Sequence, residues 1–414
     1  MKKLILVFAM LLSFSYAHSQ ETKVNSSKIE EDFEQIISDI KTNYIYLSDK
    51  KVDIDCIYSK YKKKIKFIVS EDQRLLFFEY LLDEFYDSHI ILMRAIRQSY
   101  RLDSPIFTET KNGKTTIKNV WQTQIENIDL NIIGAEVLKI NGIDLITKIE
   151  KFPTICNAKN DIETRNWIAN KVISGKYNEP RILTLKLTEG KIVDLDLDSI
   201  ILKKNNSHLS FSVTNDIGII RLNNSLGQNI LIEKFDAALD NLLNTKGLII
   251  DLRNTTGGGN TYVARGIMSR FINKSMPYQL HQTFDESWDN QPNIKRSWAE
   301  YVSPRGTQYK NPVVILVGRW TGSMGEGLAI GFDGIGRAEI VGTEMKRLAG
   351  GSTGDFHLKN ENLSYKLMTE KLFHINGKPR EKYVPENYVK QTIINKDEIL
   401  ERGIELIIKM SNKT

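Results

Sequence analysis

Two apolar strands, each followed by a turn rich in glycine, constrain this chain more than any other feature. Residues 247–251 (Gly-Leu-Ile-Ile-Asp) run into Leu-Arg-Asn and then three glycines at 257–259, and residues 313–317 (Val-Val-Ile-Leu-Val) run into Thr-Gly-Ser-Met-Gly-Glu at 321–326. Strands without polar alternation are typical of a sheet that is covered on both faces. Alternating strands and helices from 208 onward predict an α/β core in which a site would be built at the strand ends.

The length of 414 residues exceeds what one compact core fills, so we expect two or three domains. The formal charge is +6, and it falls to +4 (55 basic minus 51 acidic residues) if Lys2 and Lys3 are removed with a leader. A charge this small favours neither a nucleic acid nor an acidic partner.

Residues 1–19 combine two lysines, an apolar run from Leu4 to Leu12 and small residues up to Ser19. This pattern predicts a secretory signal peptide, and therefore a periplasmic or extracellular protein. The apolar run is shorter than the roughly 20 residues that span a bilayer, and no other stretch is longer. We expect no membrane span in the mature chain.

The chain has two cysteines, Cys56 and Cys156. Export permits a disulfide bond between them, but two cysteines in so long a chain are more often buried and unpaired, and that is the expectation here. Neither the cysteines nor the six histidines have the spacing of a zinc site, so no metal or cofactor is predicted.

Three regions follow the leader. Residues 20–98 have apolar residues at helical spacing and a capping box at Ser70, which predicts a helical domain. Residues 99–205 have short alternating strands, a possible helix at 162–174 and an Asn141-Gly142 turn. Residues 206–414 form the α/β core, interrupted by a polar insertion at 273–306 that contains Trp288 and Trp298 and that could act as a lid.

Ser323 lies where a buried strand turns into a helix, so backbone N–H groups are free around its hydroxyl. Such N–H groups stabilise a developing oxyanion, and the glycines after the strand at 247–251 let the backbone turn a further N–H toward a substrate carbonyl. Ser323 and Glu326 also form a capping box, which explains Ser-x-x-Glu without any chemistry.

A base for Ser323 must come from elsewhere in the sequence. His89, in Asp87-Ser88-His89, is one candidate, although a single histidine is usually structural. Asp251 and Arg253 are better explained as a structural ion pair or as caps than as catalytic groups.

These segments together resemble the tail-specific and tricorn-core serine peptidases. The resemblance rests on Asp-Leu-Arg-Asn-x-x-Gly-Gly at 251–258, Ser-x-x-Glu at 323–326 and Pro-Arg-Glu-Lys-Tyr-Val-Pro at 379–385. It implies a helical N-terminal region, a PDZ-like β-rich domain and a crotonase-like α/β peptidase core of the ββα spiral type. It also implies Ser323 as nucleophile, His89 as base, Ser88 orienting the imidazole and Glu381 holding Ser88, although Glu386 is only five residues from Glu381. The N–H of Met324, with that of Gly257 or Gly258, would then form the oxyanion hole.

One branch of that family uses a lysine as the base in place of a histidine. Here the lysine position falls on Leu348, and the closest lysine is Lys346. The Ser88-His89 pair matches the tricorn-like branch, so His89 is the predicted base and Lys346 is the alternative.

The predicted function is an exported serine peptidase that acts on peptides or proteins through an acyl-enzyme and needs no metal. An esterase on the same scaffold is a further possibility. A protein without catalytic activity that binds peptides or apolar ligands is the alternative from another class. The oligomeric state and the cleavage preference do not follow from the sequence.

Overall fold

The structure is a computed structural model that describes residues 24–284, 295–352, 354–360 and 362–412. The predicted signal peptide and Trp288 lie outside the described residues. No helix in these ranges is both long enough and apolar enough to cross a bilayer.

The N-terminal region is helical, as predicted. Each helix starts at a residue whose side chain accepts a backbone N–H of the first turn: Asn25, Asp53 and Ser70. The helices are α1 (Ser26–Asn43), α2 (Ile54–Lys62) and α3 (Glu71–Asp83). After α3 the chain turns through Asp87 and His89 into the short strand β1 (Ile91–Leu92).

The middle region is an antiparallel sheet with two helices on it. The predicted turn at Asn141-Gly142 is a tight hairpin in which both residues have positive φ, 53° and 76°. The predicted helix at 162–174 is also observed. The elements are β2 (Ile106–Lys111), β3 (Lys114–Val120), β4 (Glu136–Ile140), β5 (Ile143–Asp144), α4 (Leu145–Glu150), α5 (Ile162–Ser174), β6 (Ile182–Lys186) and β7 (Ile192–Asp196), with the strand order β2-β3-β4-β6-β7 and β5 beside β4.

The third region contains the α/β core. Its elements are β8 (Leu209–Thr214), β9 (Ile217–Leu222), α6 (Ile230–Asp240), β10 (Gly247–Asp251), α7 (Thr261–Met268), β11 (Met276–Phe284), β12 (Lys295–Val302), β13 (Val313–Val317), α8 (Met324–Gly334), β14 (Glu339–Gly342), β15 (Asp355–His357), β16 (Ser364–Lys366), β17 (Glu370–Phe373), β18 (Asn387–Tyr388) and α9 (Glu398–Ser411). The described part of the predicted insertion is therefore largely a β-hairpin, β11–β12, with β17 beside it.

The central sheet has the order β18-β14-β13-β10-β9-β8, and all its neighbours except β8 and β9 are parallel. Every residue of β10 and β13 is buried. Helices α6, α7 and α8 cover one face and α9 covers the other. Since β10 and β13 are parallel neighbours, with Asp251 opposite Leu316, the turns that follow them meet at one edge of the sheet.

The helical region does not close its own core. Its helices pack against residues 358–368, which follow the core helix α8 by more than twenty positions in sequence. Strand β1 pairs with β16 in a separate sheet of order β1-β16-β15. The segment that carries His89 is thereby fixed to the third region. The domain boundary between residues 205 and 206 stays a prediction.

Cys56 and Cys156 form a disulfide bond, so the expectation of unpaired cysteines was wrong. Their Cα atoms are 5.8 Å apart, and the bond joins α2 to the loop between α4 and α5 across 100 positions of sequence. The buried carboxylate of Glu84 strengthens the same junction by accepting the N–H groups of Ile155 and Cys156, at 2.6 and 3.2 Å.

Removing this bond is expected to destabilise the fold without altering the active site. A disulfide restricts the unfolded chain, and one that closes a loop of this length contributes about 2–5 kcal/mol. The double variant Cys56→Ser/Cys156→Ser should lower the free energy of unfolding by that amount, measured by urea titration.

The control is the wild-type chain unfolded in reductant, which should match the variant. The expectation fails if denatured wild type alkylates at both cysteines without prior reduction.

Candidate active site

Ser323 occupies a strained turn between β13 and α8. Its φ is 52°, which is unusual for a residue with a side chain, and the surrounding contacts hold it there. A Cβ on Gly322 would lie 2.9 Å from the carbonyl oxygen of Thr256, and one on Gly325 would lie 2.3 Å from the Thr255 hydroxyl. The glycines therefore allow the nucleophile turn to pack against the end of β10.

The side chain of Glu326 holds this turn from inside the protein. It is fully buried and accepts the backbone N–H groups of Ser323, Arg347 and Leu348 at 2.8, 2.8 and 3.2 Å. Burial raises the pKa of this carboxyl group, and the Arg380 charge and the three N–H groups oppose that rise. The Ser-x-x-Glu pattern is thus a helix cap, as the capping box in the sequence predicts. The Glu326 side chain of this cap also ties Ser323 to residues 347–348.

His89 lies beside Ser323, although 234 positions separate them in sequence. The Nε2 atom of His89 is 3.5 Å from Ser323 Oγ, and Nδ1 is 2.9 Å from the carbonyl oxygen of Ala349. A carbonyl only accepts, so Nδ1 carries the proton and Nε2 directs a lone pair toward Oγ. A contact of 3.5 Å is long for a hydrogen bond, as is common for catalytic pairs without substrate.

The imidazole is held neutral by its surroundings. The pKa of His89 is lowered to about 4; burial is the largest cause and the nearby Arg380 charge also lowers it, while the bond to Ala349 and the Asp87 charge act in the opposite direction. Asp87 also accepts the backbone N–H of His89 at 2.9 Å and the Tyr44 hydroxyl at 2.7 Å.

Residues 347–350, which we term the bridging loop, connect the two halves of the pair. Glu326 binds the N–H groups at one end of it. The buried Arg380 donates from Nη2 to the carbonyls of Leu348 and Gly350, at 3.1 and 2.5 Å, and so fixes the Ala349 carbonyl that His89 uses. Sequence reasoning chose Glu381 in this motif and missed its neighbour Arg380, which only the tertiary contacts identify.

Lys346 is close to the site but is engaged elsewhere. Its ammonium group is 2.7 Å from Asp103 Oδ1 and 3.4 Å from the carbonyl oxygen of Thr256. Among the described residues, no hydrogen bond joins Lys346 to Ser323. Leu348, which stands at the lysine position of the other branch, is buried at 5% exposure.

Ser88 and Glu381 are not joined as the resemblance implies. Ser88 is exposed, and its Oγ accepts the Trp167 indole N–H at 3.1 Å. No hydrogen bond within the described chain links Ser88 to His89 or to Glu381. The Glu381 Oε2 atom is buried with no partner among these residues, and burial together with the Asp87 charge raises the pKa of its carboxyl group. Glu381 is therefore close to the base segment but is not bonded to Ser88.

Within the described chain, no hydrogen bond engages the backbone N–H of Met324 or of Gly258, two of the three predicted oxyanion donors. A Cβ on Gly258 would be 3.6 Å from Ser323 Oγ, so this backbone borders the nucleophile. Met324 is the first residue of α8, where an N–H has no partner within the helix. The N–H of Gly257 instead donates to Asn224 Oδ1 at 2.6 Å, which is at odds with its predicted role because that N–H is occupied.

The predicted ion pair of Asp251 and Arg253 is present. Arg253 donates to Asp251 at 2.9 Å and to Asp397, at the start of α9, at 2.6 Å. Burial raises the pKa of the Asp251 carboxyl group, but the charges of Arg253 and Arg221 outweigh it and hold that pKa below its usual range. The pair anchors the strand end from which the glycine turn starts, and it does not contact Ser323.

The middle region docks directly behind the site. Trp121 stacks on Trp320 with ring centres 5.5 Å apart, and its indole N–H is 3.2 Å from the Arg253 carbonyl and from Asn254 Oδ1. Trp320 precedes Ser323 by three positions, and Asn254 precedes Gly257 by three. One indole therefore touches the bases of both site turns.

Two family profiles match this chain. The profile described as peptidase family S41 matches residues 216–390, and the tricorn protease C1 domain profile matches residues 26–83. Ser323 and Glu381 lie within the first match, and His89 lies between the two. No curated protein sequence matches the chain.

Solved structures with a similar fold cover nearly all of the chain. Mature CPAF has a TM-score of 0.62 at 12% identity, over 93% of this chain and 96% of its own. The photosystem II D1 C-terminal processing protease has a TM-score of 0.54 at 14% identity, over 89% and 94%. A putative peptidase from Parabacteroides merdae has 0.55 at 16%, over 93% and 98%. The predicted fold class is confirmed.

The reactivity of Ser323 should follow the protonation of His89. Modification by a fluorophosphonate needs the neutral imidazole, so its rate should stay level from neutral pH down to the low pKa of His89, about 4, and fall below it. In Arg380→Gln the loss of positive charge should move this fall to higher pH, and the displaced imidazole should lower the maximal rate by up to about 100-fold.

Lys382→Gln removes a charge from an exposed neighbour and should leave the profile unchanged. Arg380→Lys keeps the charge, so it should lower the rate without moving the fall. Circular dichroism must accompany each pH, because the unfolded chain binds a proton at His89 below about 6.5 and stability declines from there toward pH 4. A fall near 6.5 in wild type would contradict the description of His89.

Proposed function

The chain belongs to peptidase family S41 and is a serine peptidase; on that premise we propose that it is an exported enzyme which cleaves peptide bonds through an acyl-enzyme on Ser323, with His89 as the base. The observation that carries the proposal is the contact of 3.5 Å between Ser323 Oγ and His89 Nε2, with the Nδ1 proton donated to Ala349. This tautomer leaves Nε2 free to accept the serine proton.

In the first half of the reaction, Ser323 Oγ attacks the peptide carbonyl carbon while its proton passes to His89 Nε2. The carbonyl oxygen becomes an oxyanion, and the N–H groups of Met324 and Gly258 stabilise it. The imidazolium then gives its proton to the leaving amine as the C–N bond breaks. The product of this half is an ester of Ser323 and a released amine fragment.

In the second half, water takes the place of the amine. His89 Nε2 removes a proton from water as the oxygen attacks the ester, and it returns the proton to Ser323 Oγ when the acid fragment leaves. The Asp87 carboxylate lies near the imidazole and favours its charged form in both halves. The Ala349 carbonyl keeps the ring oriented throughout.

Lys346 is less suited to the role of base. The Lys346 side chain forms an ion pair with Asp103 at 2.7 Å, and no hydrogen bond among the described residues joins it to Ser323. The described part of the chain has no group of three or more metal-ligating side chains, and none of the steps above draws on a metal. We therefore expect chelators to leave the activity unchanged.

Export is supported by two independent features. The N-terminal pattern of the sequence is that of a signal peptide, and the Cys56–Cys156 bond suits an oxidising compartment. The substrate class, a peptide or protein, follows from the family. The resemblance also proposes Ser88 and Glu381 as the relay that orients His89.

Peptide hydrolysis and covalent labelling of four proteins test the proposal. Wild type should gain one fluorophosphonate adduct in its intact mass, and Ser323→Ala and His89→Ala should lose both the adduct and peptide hydrolysis, by about 10⁴-fold or more. Lys346→Ala is the matched control, with a loss below about fivefold, as expected for a surface ion pair of under 1 kcal/mol.

Loss in the serine and lysine variants alone would make Lys346 the base. A folded wild type that binds peptides but neither labels nor hydrolyses them would favour a binding protein. Turnover of esters without amides would make the chain an esterase.

The orientation of His89 is tested by its neighbours. Asp87→Asn should lower kcat by about 10- to 100-fold with little change in KM, because it removes the charge beside the imidazolium. Ser88→Ala should change kcat by less than about threefold, since its hydroxyl contacts Trp167. Steady-state kinetics on one peptide substrate, with folding checked by thermal unfolding, gives both values.

Glu381→Gln is measured together with Asp87→Asn and Ser88→Ala. If Ser88→Ala and Glu381→Gln each reduce kcat as much as His89→Ala does, the serine and glutamate relay implied by the resemblance operates during turnover. Asp87 would then have a structural role.

A further inference from the structure

The end of α2 and the turn after it carry an unusual surface. Residues 60–69, which we term the lysine turn, read Lys-Tyr-Lys-Lys-Lys-Ile-Lys-Phe-Ile-Val, with five lysines and no acidic residue. The turn is firmly seated, because Ile65 and Ile68 are buried at 5% and 7% exposure in the helical core. Tyr61 is buried in the same core, while Lys60, Lys63, Lys64, Lys66, Phe67 and Val69 are exposed.

Two apolar side chains project from this turn into solvent. Phe67 is 69% exposed and Val69 is 65% exposed, the two largest values for large apolar residues in the described chain. They are two positions apart on one rigid turn. Single exposed apolar residues are normal, but an adjacent pair at the tip of a basic turn indicates a surface that binds something partly apolar.

The positive charge of the turn is largely uncompensated. Lys62 pairs with Glu30 and Glu34 at 3.2 and 2.8 Å. No ion pair between described residues involves the other four lysines, Lys60, Lys63, Lys64 and Lys66. The ammonium group of Lys66 lies over the exposed Phe67 ring and that of Lys64 lies over the Tyr61 ring, each 5.0 Å from the ring centre, so one cation lies directly against the exposed aromatic side chain.

The acidic groups that face the turn from α3 do little to offset this charge. Glu71 is already paired, at 2.7 Å with Arg74 and at 3.5 Å with Arg94. Arg94 adds a further exposed cation beside the start of α3. Asp72 is the remaining acidic residue in the first turn of that helix.

We propose that the lysine turn docks the protein on the surface of an anionic phospholipid bilayer. Phe67 and Val69 enter the boundary between headgroups and acyl chains, and the lysines contact lipid phosphates. A soluble polyanion would engage the lysines but would leave both apolar side chains in water. The combination of charge and apolar tip therefore favours a bilayer.

Docking at this turn leaves the active site open. The lysine turn precedes the N-terminal end of α3, and the segment with His89 follows its C-terminal end. Thirteen residues at 1.5 Å per residue separate these ends by about 20 Å. The inference does not depend on the proposed function, and the two are tested separately.

Co-sedimentation with vesicles tests the proposal. Wild type should bind vesicles of phosphatidylcholine with phosphatidylglycerol and not vesicles of phosphatidylcholine alone, and added salt should weaken binding. Lys63→Gln/Lys64→Gln should weaken binding about 30-fold, at roughly a factor of five per lysine near the surface. Phe67→Ser/Val69→Ser should weaken it by about tenfold or more.

Lys203→Gln/Lys204→Gln is the matched control, because these exposed lysines follow the exposed Ile201 and Leu202 in another region. All variants should keep the wild-type unfolding temperature and peptide hydrolysis without vesicles. Equal binding to both vesicle types, or equal loss in the control pair, would overturn the proposal. Binding to heparin but not to anionic vesicles would also overturn it, in favour of a soluble polyanion.

Discussion

The active site depends on one buried carboxylate. Glu326 is taken out of water and receives three backbone N–H groups in return, one from the nucleophile turn and two from the bridging loop. Because one side chain makes all three bonds, Ser323 cannot move independently of residues 347–348. Arg380 then fixes the other end of that loop through two carbonyls, and the carbonyl between them binds His89. The separation of Ser323 and His89 is thus set by a chain of hydrogen bonds through one loop, since their own contact of 3.5 Å is long.

This arrangement explains why the site needs all three regions. His89 is carried by a helical region whose core is completed by Leu358, Leu363, Tyr365, Leu367 and Met368 and whose second helix is bonded through Cys56 to the middle region. The middle region in turn places Trp121 against the bases of both site turns. Each contact ties a separate segment to the same sheet edge, where Ser323 is held at a φ of 52°. A positive φ at a residue with a side chain is expected where the surroundings outweigh its energetic penalty.

Periodicity alone predicted much of the fold, because helix caps, buried strands and tight turns are local. The strands at 247–251 and 313–317, the helix at 162–174 and the Asn141-Gly142 turn are observed as predicted. Contacts between distant segments were not accessible in this way. The Cys56–Cys156 bond, the bond from Gly257 to Asn224 and the role of Arg380 depend on proximity in three dimensions. His89 was identified by resemblance, since a single histidine in a helical region carries no local signal for catalysis.

The proposal of His89 rather than Lys346 as the base rests on the charged and apolar groups that surround each side chain. A lysine can act as a base only where its surroundings make the ammonium form unfavourable. The ammonium group of Lys346 is instead paired with Asp103. The lysine position of the other branch is occupied by Leu348, which takes part only through its backbone: its N–H donates to Glu326 and its carbonyl accepts from Arg380. The surroundings of His89 favour the form that can accept a proton, because burial and the Arg380 charge keep the imidazole neutral. The Ala349 carbonyl accepts the Nδ1 proton, so the unprotonated Nε2 atom faces Ser323. Arg380 therefore affects His89 in two ways. Its hydrogen bonds to the bridging loop fix the orientation of the imidazole, and its positive charge favours the neutral form of the imidazole.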